Sequence, residues 1–130
     1  MLDEYYDKET KTVRIPFDLN EELKDLPLDT EIIIFEKNHN KFQHSIFNQP
    51  VDNLPNRLKC VTLGHSFNQK VDNSPKTLTH LTFGYNFNQE VDNLPSNMEK
   101  IKIRRDKQNL IKKIPFGCKV VDESDNEIFI

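Results

Sequence analysis

A 20-residue repeat runs through the middle of this 130-residue chain and limits what it can fold into. The triplet Phe-Asn-Gln begins at residues 47, 67 and 87, and the triplet Val-Asp-Asn begins at residues 51, 71 and 91. Prolines keep the same step, at Pro55, Pro75, Pro95 and Pro115. Fixed periods of about 20–50 residues are typical of solenoids, in which each unit stacks on its neighbours. The chain is therefore predicted to be a repeat solenoid.

Apolar residues after each proline alternate as in a strand with one buried face. The buried positions of the three clear repeats are Leu58, Val61, Leu63, Leu78, Leu81, Phe83, Met98, Ile101 and Ile103. One strand per repeat predicts a parallel ladder with strands about 4.8 Å apart. Proline cannot donate to that ladder, so it is placed in the turn before the strand. Gly64 and Gly84, at the strand exits, are interpreted as positions of positive φ.

The return segment between strands, Phe-Asn-Gln-x-Val-Asp-Asn, has no helical apolar period. Its Phe67 and Val71 are predicted to fill the core from the side opposite the strands. Its Asn and Asp side chains are expected to fix turns and to stack into Asn and Gln ladders. The predicted fold is thus a leucine-rich-repeat-like solenoid, mainly β, with short irregular return segments and little helix, because a 20-residue period lies at the short end of leucine-rich repeats.

The ends are predicted to be hairpin-like caps of a single solenoid domain over residues 1–130, because an uncovered ladder end would aggregate. Residues 1–30 form the N-terminal cap, with a hairpin over 2–15 and a short helix through about residues 24–25, opened by an Asp18/Glu21 capping box. Residues 31–103 hold the repeats, with the first ladder strand at 32–35 and an insertion near 37–46. Residues 104–130 form the degenerate last repeat and the C-terminal cap, with a last strand at 118–121, a turn at 122–126 and a closing strand at 127–130.

The run Phe-Asn-Gln-x-Val-Asp-Asn-x-Pro, followed by Leu-Thr-His-Leu-Thr-Phe-Gly, resembles the FNIP repeat. That repeat is a leucine-rich-repeat relative known mainly from slime moulds and giant DNA viruses of amoebae. The resemblance covers residues 47–103 well and 104–121 weakly. It implies an interaction module, in some family members placed behind an F-box that links to ubiquitin ligases. The residues before the first clear repeat are too few and too strand-like to predict an F-box here.

The outward strand positions, five and seven residues after each proline, are predicted to form a concave face that binds another protein. The residues expected to carry this binding are Cys60, Thr62, His80, Thr82, Lys100, Lys102 and Arg104. Ile32 and Ile34 belong to the same rows, as do Val120 and Asp122. Five strands give a width of roughly 20–25 Å. A face of that width can offer the about 800 Å² per partner of an ordinary protein–protein interface.

Charge is segregated along the chain and raises an alternative function. Residues 98–119 hold eight basic and two acidic residues, whereas residues 120–130 hold four acidic residues and no basic one. Basic clusters can neutralise phosphates, so the alternative is binding of nucleic acid or another anionic polymer through the 100–113 region. Interleaved aromatic residues are missing there, Asp106 interrupts the cluster and the formal net charge is −3. Nucleic acid is therefore the less favoured partner.

Catalytic motifs are not found, and we expect no enzyme activity, cofactor or metal. With three glycines the chain has no Gly-rich phosphate loop, and neither GxSxG nor HExxH occurs. Cys60 and His80 share one repeat position on neighbouring strands and could form a reactive or metal site, although repeat drift explains the pair equally well.

Location is predicted from cysteine usage and hydropathy. Cys60 and Cys118 form no CxxC pair and are expected to be reduced thiols in a cytoplasmic setting, the host cytoplasm if the protein is viral. An acidic start, Met1-Leu2-Asp3-Glu4, does not resemble a signal peptide. No apolar run approaches the about 20 residues that a membrane helix needs. The end strands could support a weak homo-oligomer.

Overall fold

The computed structural model describes residues 2–38 and 43–128 and contains one sheet. Its strands, in chain and spatial order, are β1 (Tyr6–Asp7), β2 (Thr12–Ile15), β3 (Ile32–Phe35), β4 (Cys60–Thr62), β5 (His80–Thr82), β6 (Lys100–Lys102) and β7 (Lys119–Val121). All neighbours from β2 to β7 are parallel, and β1 is antiparallel to β2. Two short 3₁₀ helices, η1 (Leu2–Tyr5) and η2 (Arg105–Leu110), are the helical elements of the described residues. The predicted solenoid with little helix is confirmed.

Strand pairing follows the 20-residue period. Cys60 pairs with His80, and His80 pairs with Lys100. The same step also joins β2 to β3, because Thr12 pairs with Ile32. The ladder therefore has six parallel strands, and the prediction that Ile32–Phe35 is the first of them is wrong by one strand. The alternation of residues 12–15 repeats that of residues 32–35 and carries this signal in the sequence.

The core is built from identical residues stacked from one turn to the next. Phe47, Phe67 and Phe87 are fully buried, and neighbouring rings stack with centroids 6.3 Å apart. On the strand side, the buried rungs come from the predicted alternating positions, such as Leu58, Leu78 and Met98. Each phenylalanine buries about 150–250 Å². Burial of both faces of each turn thus compensates for the low apolar content of the chain.

Asparagine side chains form a ladder along the return side, as the sequence predicts. Its members are Asn20, Asn48, Asn68 and Asn88, and each Oδ1 accepts the backbone N–H of the next at 2.8 Å. The glutamines that follow Asn48, Asn68 and Asn88 each add a second bond; Gln69 Nε2, for example, donates to Asn48 Oδ1 at 3.1 Å. Lys107 Nζ lies 3.5 Å from Asn88 Oδ1 at the end of the ladder.

The predicted helix opened by Asp18 and Glu21 is wrong, since residues 16–30 contain no helix. The stretch 19–27 is a degenerate return segment, in which Leu19, Asn20 and Leu23 stand 28 residues before their counterparts in the first clear repeat. A contact with the next turn prevails over the local preference for a capped helix, because Asn20 Oδ1 accepts a hydrogen bond from the backbone N–H of Asn48.

The prediction of positive φ at the repeat glycines Gly64 and Gly84 is wrong; glycine is required there by close packing. Among described glycines, only Gly117 has a positive φ, of 80°. A Cβ at Gly64 would lie 2.5 Å from the Ser45 side chain, and one at Gly84 would collide with the backbone oxygen of Gly64. The corners of successive turns therefore touch through their backbones at this position.

The last turn is one residue shorter between its proline and its strand than the others. The proline turn itself is kept, since Cys118 N donates to Pro115 O at 3.0 Å. Lys119, however, pairs with Lys100, so that Val120 pairs with Ile101 and points into the core. The predicted outward placement of Val120 and Asp122 is wrong, because both residues are buried.

Antiparallel segments cover both edges of the ladder. At the N-terminal edge β1 covers β2, although most of the predicted first hairpin arm is the 3₁₀ helix η1. At the C-terminal edge the chain turns at residues 122–126, and Glu127 forms an antiparallel bridge with Val121. The remainder of the predicted closing strand, 129–130, lies outside the described residues.

Eight more residues lie between β3 and β4 than one period of the repeat requires. Asn38 and Gln43 form an antiparallel bridge, with N···O distances of 2.7 and 3.1 Å. The chain rejoins the solenoid where Ile46 N donates to Phe17 O at 2.9 Å. The strands on either side of the insertion keep their parallel register, so the insertion does not disturb the ladder.

Candidate functional site

Two rows of side chains point outward from the ladder and form what we call the strand face. The first row is Thr12, Ile32, Cys60, His80, Lys100 and Lys119. The second row is Arg14, Ile34, Thr62, Thr82, Lys102 and Val121. Six of the seven predicted binding residues lie in these rows, and Arg104 does not. Thr12 and Val121, at the ends of the rows, are buried and offer no contact surface. The exposed Arg14 and Lys119 were missed because β2 was predicted as a hairpin arm and the shortened last turn was not recognised.

The middle of the strand face is neutral and polar. Thr62 is exposed, and Cys60, His80 and Thr82 are half-buried. His80 is held in place by Thr79, whose Oγ1 lies 2.9 Å from Nδ1 and also donates to Lys59 O at 3.1 Å. Because the hydroxyl has one proton, Nδ1 of a neutral His80 is the donor in this contact. Its Nε2 is then an acceptor toward a bound molecule.

Cys60 and His80 do lie side by side but lack the features of an activated pair. Burial raises the pKa of the Cys60 thiol, which keeps it protonated, whereas a nucleophilic cysteine needs a depressed pKa. The Nδ1 atom of His80 is already engaged by Thr79. No group of three or more metal-ligating side chains occurs in the part of the chain that the structure describes.

Two lysines define the C-terminal end of the strand face, and the chain itself supplies their counter-ion. Asp125 Oδ1 lies 3.7 Å from Lys100 Nζ and 3.1 Å from Lys102 Nζ. Asp125 belongs to the 122–126 turn that follows β7. The acidic C-terminal segment and the basic segment before it, separate in the sequence, are therefore in contact in the fold.

Arg104 occupies the corner position that Gly64 and Gly84 hold in earlier turns. Its guanidinium carbon lies 4.0 Å from the centroid of the Tyr85 ring, and Nε donates to Asp106 Oδ1 at 3.0 Å. This geometry is a cation–π contact anchored by an ion pair. The side chain is thus committed to the corner and does not extend the strand rows.

A column of planar groups runs along these corners and was not predicted. Its members are His44, His65, Tyr85 and Arg104. Ring centroids are 4.0 Å apart between His44 and His65, and 5.1 Å apart between His65 and Tyr85. Burial, and then the neighbouring His44, lower the pKa of His65. The sequence signal is positional, since residues 65 and 85 each follow a repeat glycine.

The N-terminal part of the strand face is more apolar and contains an open cavity of about 470 Å³. The residues that line the cavity include Ile34, Thr62, Arg14, His44 and His65. Arg14 Nη1 lies 3.4 Å from Glu36 Oε2 on the neighbouring strand end. The strand face thus changes from apolar, through neutral polar, to basic along the solenoid.

The remaining basic residues of the 100–113 region are mostly turned to local partners. Arg105 Nη2 lies 2.9 Å from Asp122 Oδ2, and Lys112 Nζ lies 3.7 Å from Glu90 Oε2. Lys100, Lys102 and Arg104 also form ion pairs, described above. The basic residues of this region are therefore distributed over several surfaces. The region is therefore no continuous basic stripe.

Comparisons with known proteins agree with this architecture. The FNIP repeat family model matches residues 75–106. The crystal structure of CroV588, from the giant virus CroV and described as a novel circular LRR (leucine-rich-repeat) protein structure, is similar with a TM-score of 0.68 and 29% sequence identity. That similarity covers 85% of this chain and 17% of the CroV588 chain, so this chain spans less than a fifth of the length of its relative.

A search of curated proteins finds no match. No helix among the described residues is long and apolar enough to cross a membrane. The family model, the 20-residue register and the stacked Phe-Asn-Gln segments agree, and the resemblance noted in the sequence is confirmed. Residues 75–106 match the FNIP repeat, and the fold that contains them is a leucine-rich-repeat-like parallel β-solenoid.

Proposed function

We propose that this solenoid is a non-enzymatic interaction module that binds another protein through its strand face. The residues assigned to the contact are Cys60, Thr62, His80, Thr82, Lys100 and Lys102, with Arg104 at the margin. Arg14, Ile32 and Ile34 extend the same surface toward the N-terminal end. The proposal covers a role in the cytoplasm, of the host cell if the protein is viral.

One observation carries this proposal: two rows of side chains of graded character stand on a parallel ladder in register. Each position is fixed by a strand whose inward neighbours, such as Val61, Leu81 and Ile101, are buried. Rigid placement lowers the entropy cost of association. Repeat arrays offer broad surfaces of this kind, and those surfaces suit macromolecules better than small substrates.

Chemistry on this face argues for binding and against catalysis. The raised pKa of Cys60 supports an inert thiol, and His80 has its Nδ1 committed to Thr79. The cavity at the N-terminal part is open, and a small-molecule site instead encloses most of its ligand. We assign no cofactor to the chain.

Binding of nucleic acid remains the alternative and is the weaker proposal. Of the cations at 100–113, five are within 4.0 Å of a carboxylate: Lys100, Lys102, Arg104, Arg105 and Lys112. Phosphate binding would have to displace those carboxylates. A homo-oligomer through the end strands is also weakened as a proposal, because β1 and the Val121–Glu127 bridge already occupy the two edges.

The test compares one substitution on the strand face with a matched one on the return side. Thr62→Arg places a long cation in the middle of the strand face, and Asn53→Arg adds the same group at an exposed return-segment position. Both variants and the native chain are used as bait in nuclease-treated amoeba lysate, with bound proteins identified by mass spectrometry. The proposal expects a partner retained by native and Asn53→Arg baits and lost with Thr62→Arg. Loss with Asn53→Arg alone, or equal capture by the native and Thr62→Arg baits, would contradict it.

A further inference from the structure

The turn that follows the last ladder strand reaches across to the strand face. Its residues are 122–126, and it places the carboxylate of Asp125 between the amines of Lys100 and Lys102, at 3.7 and 3.1 Å. These lysines are the outward residues of β6 and belong to the predicted partner-binding set. A part of the chain thus already occupies one end of the surface assigned to a partner.

Asp122 makes this turn rigid. Its Oδ1 accepts the backbone N–H groups of Ser124 and Asn126, both at 2.9 Å. Its Oδ2 accepts two bonds from the Arg105 guanidinium, at 2.9 and 3.1 Å. The backbone adds Asp122 N to Asn126 O at 2.8 Å and Asp125 N to Asp122 O at 3.0 Å. Asp125 is therefore presented by a preformed loop.

The backbone conformation of Asp125 is consistent with this arrangement. Its φ is 64°, in the left-handed region that Asn and Asp tolerate better than most residues. The Asp125 side chain remains 61% exposed, so the two ion pairs are accessible to solvent and to a competing ligand. Exposed pairs of this kind contribute only about 0.2–1 kcal/mol each. The carboxylate of Asp125 can therefore be replaced at the two lysines by a carboxylate of another molecule.

We propose that the basic end of the strand face recognises carboxylates of an acidic segment of a partner protein, and that Asp125 acts as an internal competitor for this site. The proposal rests on the proposed function and specifies the chemistry of one part of that surface. Binding of an acidic segment replaces Asp125 at Lys100 and Lys102. The closing turn thereby lowers the affinity for every anionic ligand at this site by a small factor.

Three features favour a protein carboxylate over a phosphate backbone as the occupant. The group that the lysines hold in the structure is a carboxylate, the chemistry that a partner would have to match. Lys119, exposed in the neighbouring strand, extends the site by one strand spacing, about 4.8 Å, and not into a long groove. Thr82 and His80 flank the site on the other side, and their polar side chains suit peptide hydrogen bonding.

The experiment measures binding of a fluorescent ten-residue polyglutamate peptide at low salt by anisotropy. Asp125→Asn removes the competing charge and keeps a residue type that accepts positive φ. Asp92→Asn, at an exposed return-segment position, is the charge-matched control. We expect Asp125→Asn to bind about two- to five-fold more tightly than the native chain, because the variant loses both exposed ion pairs of Asp125 and each contributes little. Asp92→Asn should match the native chain, and adding Lys102→Gln to Asp125→Asn should cancel the gain.

Several outcomes would overturn the proposal. Equal affinity of Asp125→Asn and Asp92→Asn would remove the competitor role, and tighter binding of a ten-nucleotide oligothymidine than of the peptide would assign the site to phosphates. Should Asp125→Asn unfold, Lys102→Gln in the native chain must still weaken peptide binding. The proposed function is judged separately: loss of partner capture with Thr62→Arg supports it whatever the peptide result, and unaltered capture contradicts it even if the peptide binds as expected.

Discussion

The middle repeats and the two ends of this solenoid obtain their order in different ways. Between residues 47 and 103, the same side chains recur in each turn, and phenylalanine rings and asparagine amides stack on copies of themselves. At the ends, single contacts replace the ladders, such as Tyr6 to Asp29 at 2.7 Å and Arg105 to Asp122 at 2.9 Å. Repetition thus builds the platform, while the non-repeated ends cover its edges and carry the contact between Asp125 and the strand face.

Large core substitutions should separate the two regions most strongly. Phe67→Ala removes a ring stacked on both sides and should lower the free energy of unfolding by about 3–5 kcal/mol. Leu19→Ala, at the half-buried counterpart in the N-terminal end, should cost clearly less. Urea unfolding of both variants measures the difference. Equal losses would mean that the ends are packed as the middle is.

Glycine substitutions distinguish the two uses of this residue. Gly84→Ala drives a Cβ into the Gly64 backbone and should cost about 3 kcal/mol, the upper part of the usual range for overpacking. Gly117→Ala, in the last turn, meets open space but keeps a φ of 80°, and should cost about 1 kcal/mol. Gly117→Asn should recover part of that loss, and Gly84→Asn should not. Thermal unfolding decides between these outcomes, and a harmless Gly84→Ala would refute the close-packing account.

Ladder position should set the effect of removing an asparagine. Asn68 Oδ1 accepts bonds from Asn88 N at 2.8 Å and Gln89 Nε2 at 3.2 Å, so Asn68→Ala should cost about 1–2 kcal/mol. Asn88 Oδ1 accepts only the 3.5 Å contact from Lys107 among described residues, so Asn88→Ala should cost less. Amide hydrogen exchange at residue 88 in Asn68→Ala should rise as well. A larger loss for Asn88→Ala would contradict the ladder as described.

Asp122→Asn keeps one oxygen for the turn but places an amide N–H against the Arg105 guanidinium, so at neutral pH the variant loses this ion pair and should be less stable than the native chain. Hydrogen bonds from Asn126 N, from the Arg105 side chain and from Ser124 N lower the pKa of Asp122 from its ordinary value of 3.8, against the effect of burial. A depressed pKa contributes stability above the unfolded value, and this contribution is lost as the pH falls through the folded pKa. The difference in stability between native chain and variant should therefore narrow as the pH falls below 3.8. A gap that widens in acid would contradict this assignment.

The sequence correctly predicted the elements that repeat without change, and the predictions failed where the repeat departs from its usual residues or spacing. The alternation of apolar and polar residues after each proline predicted the ladder and its inward residues, such as Leu78 and Leu81. Burial of one strand face imposes that alternation directly on the sequence. The ladder position of Asn20 was not predicted, because Asp18 and Glu21 on either side of it resemble a helix-capping motif. In the structure, Asn20 Oδ1 instead accepts a bond from Asn48 in the next turn. Asp122 was assigned to the wrong face, since a one-residue contraction before β7 leaves no mark in the spacing of the prolines.

The candidate site was predictable to a similar extent. Six of the seven proposed binding residues lie in the strand rows, because row membership follows from register alone. Arg104 departs from the rows because its contacts, Tyr85 and Asp106, depend on the corner geometry. The closure of Asp125 onto Lys100 and Lys102 depends on the path of a unique turn, for which the sequence shows only the complementary charges.

Site-specific photo-crosslinking tests partner binding by the strand face most directly. Benzoylphenylalanine is placed at Thr82 in the strand face or at Asn73 on the exposed return side, and each chain is irradiated in nuclease-treated lysate. The account predicts a discrete protein adduct from position 82 that is absent from position 73. Adducts from position 73 alone would show that this solenoid engages its partner by the opposite surface.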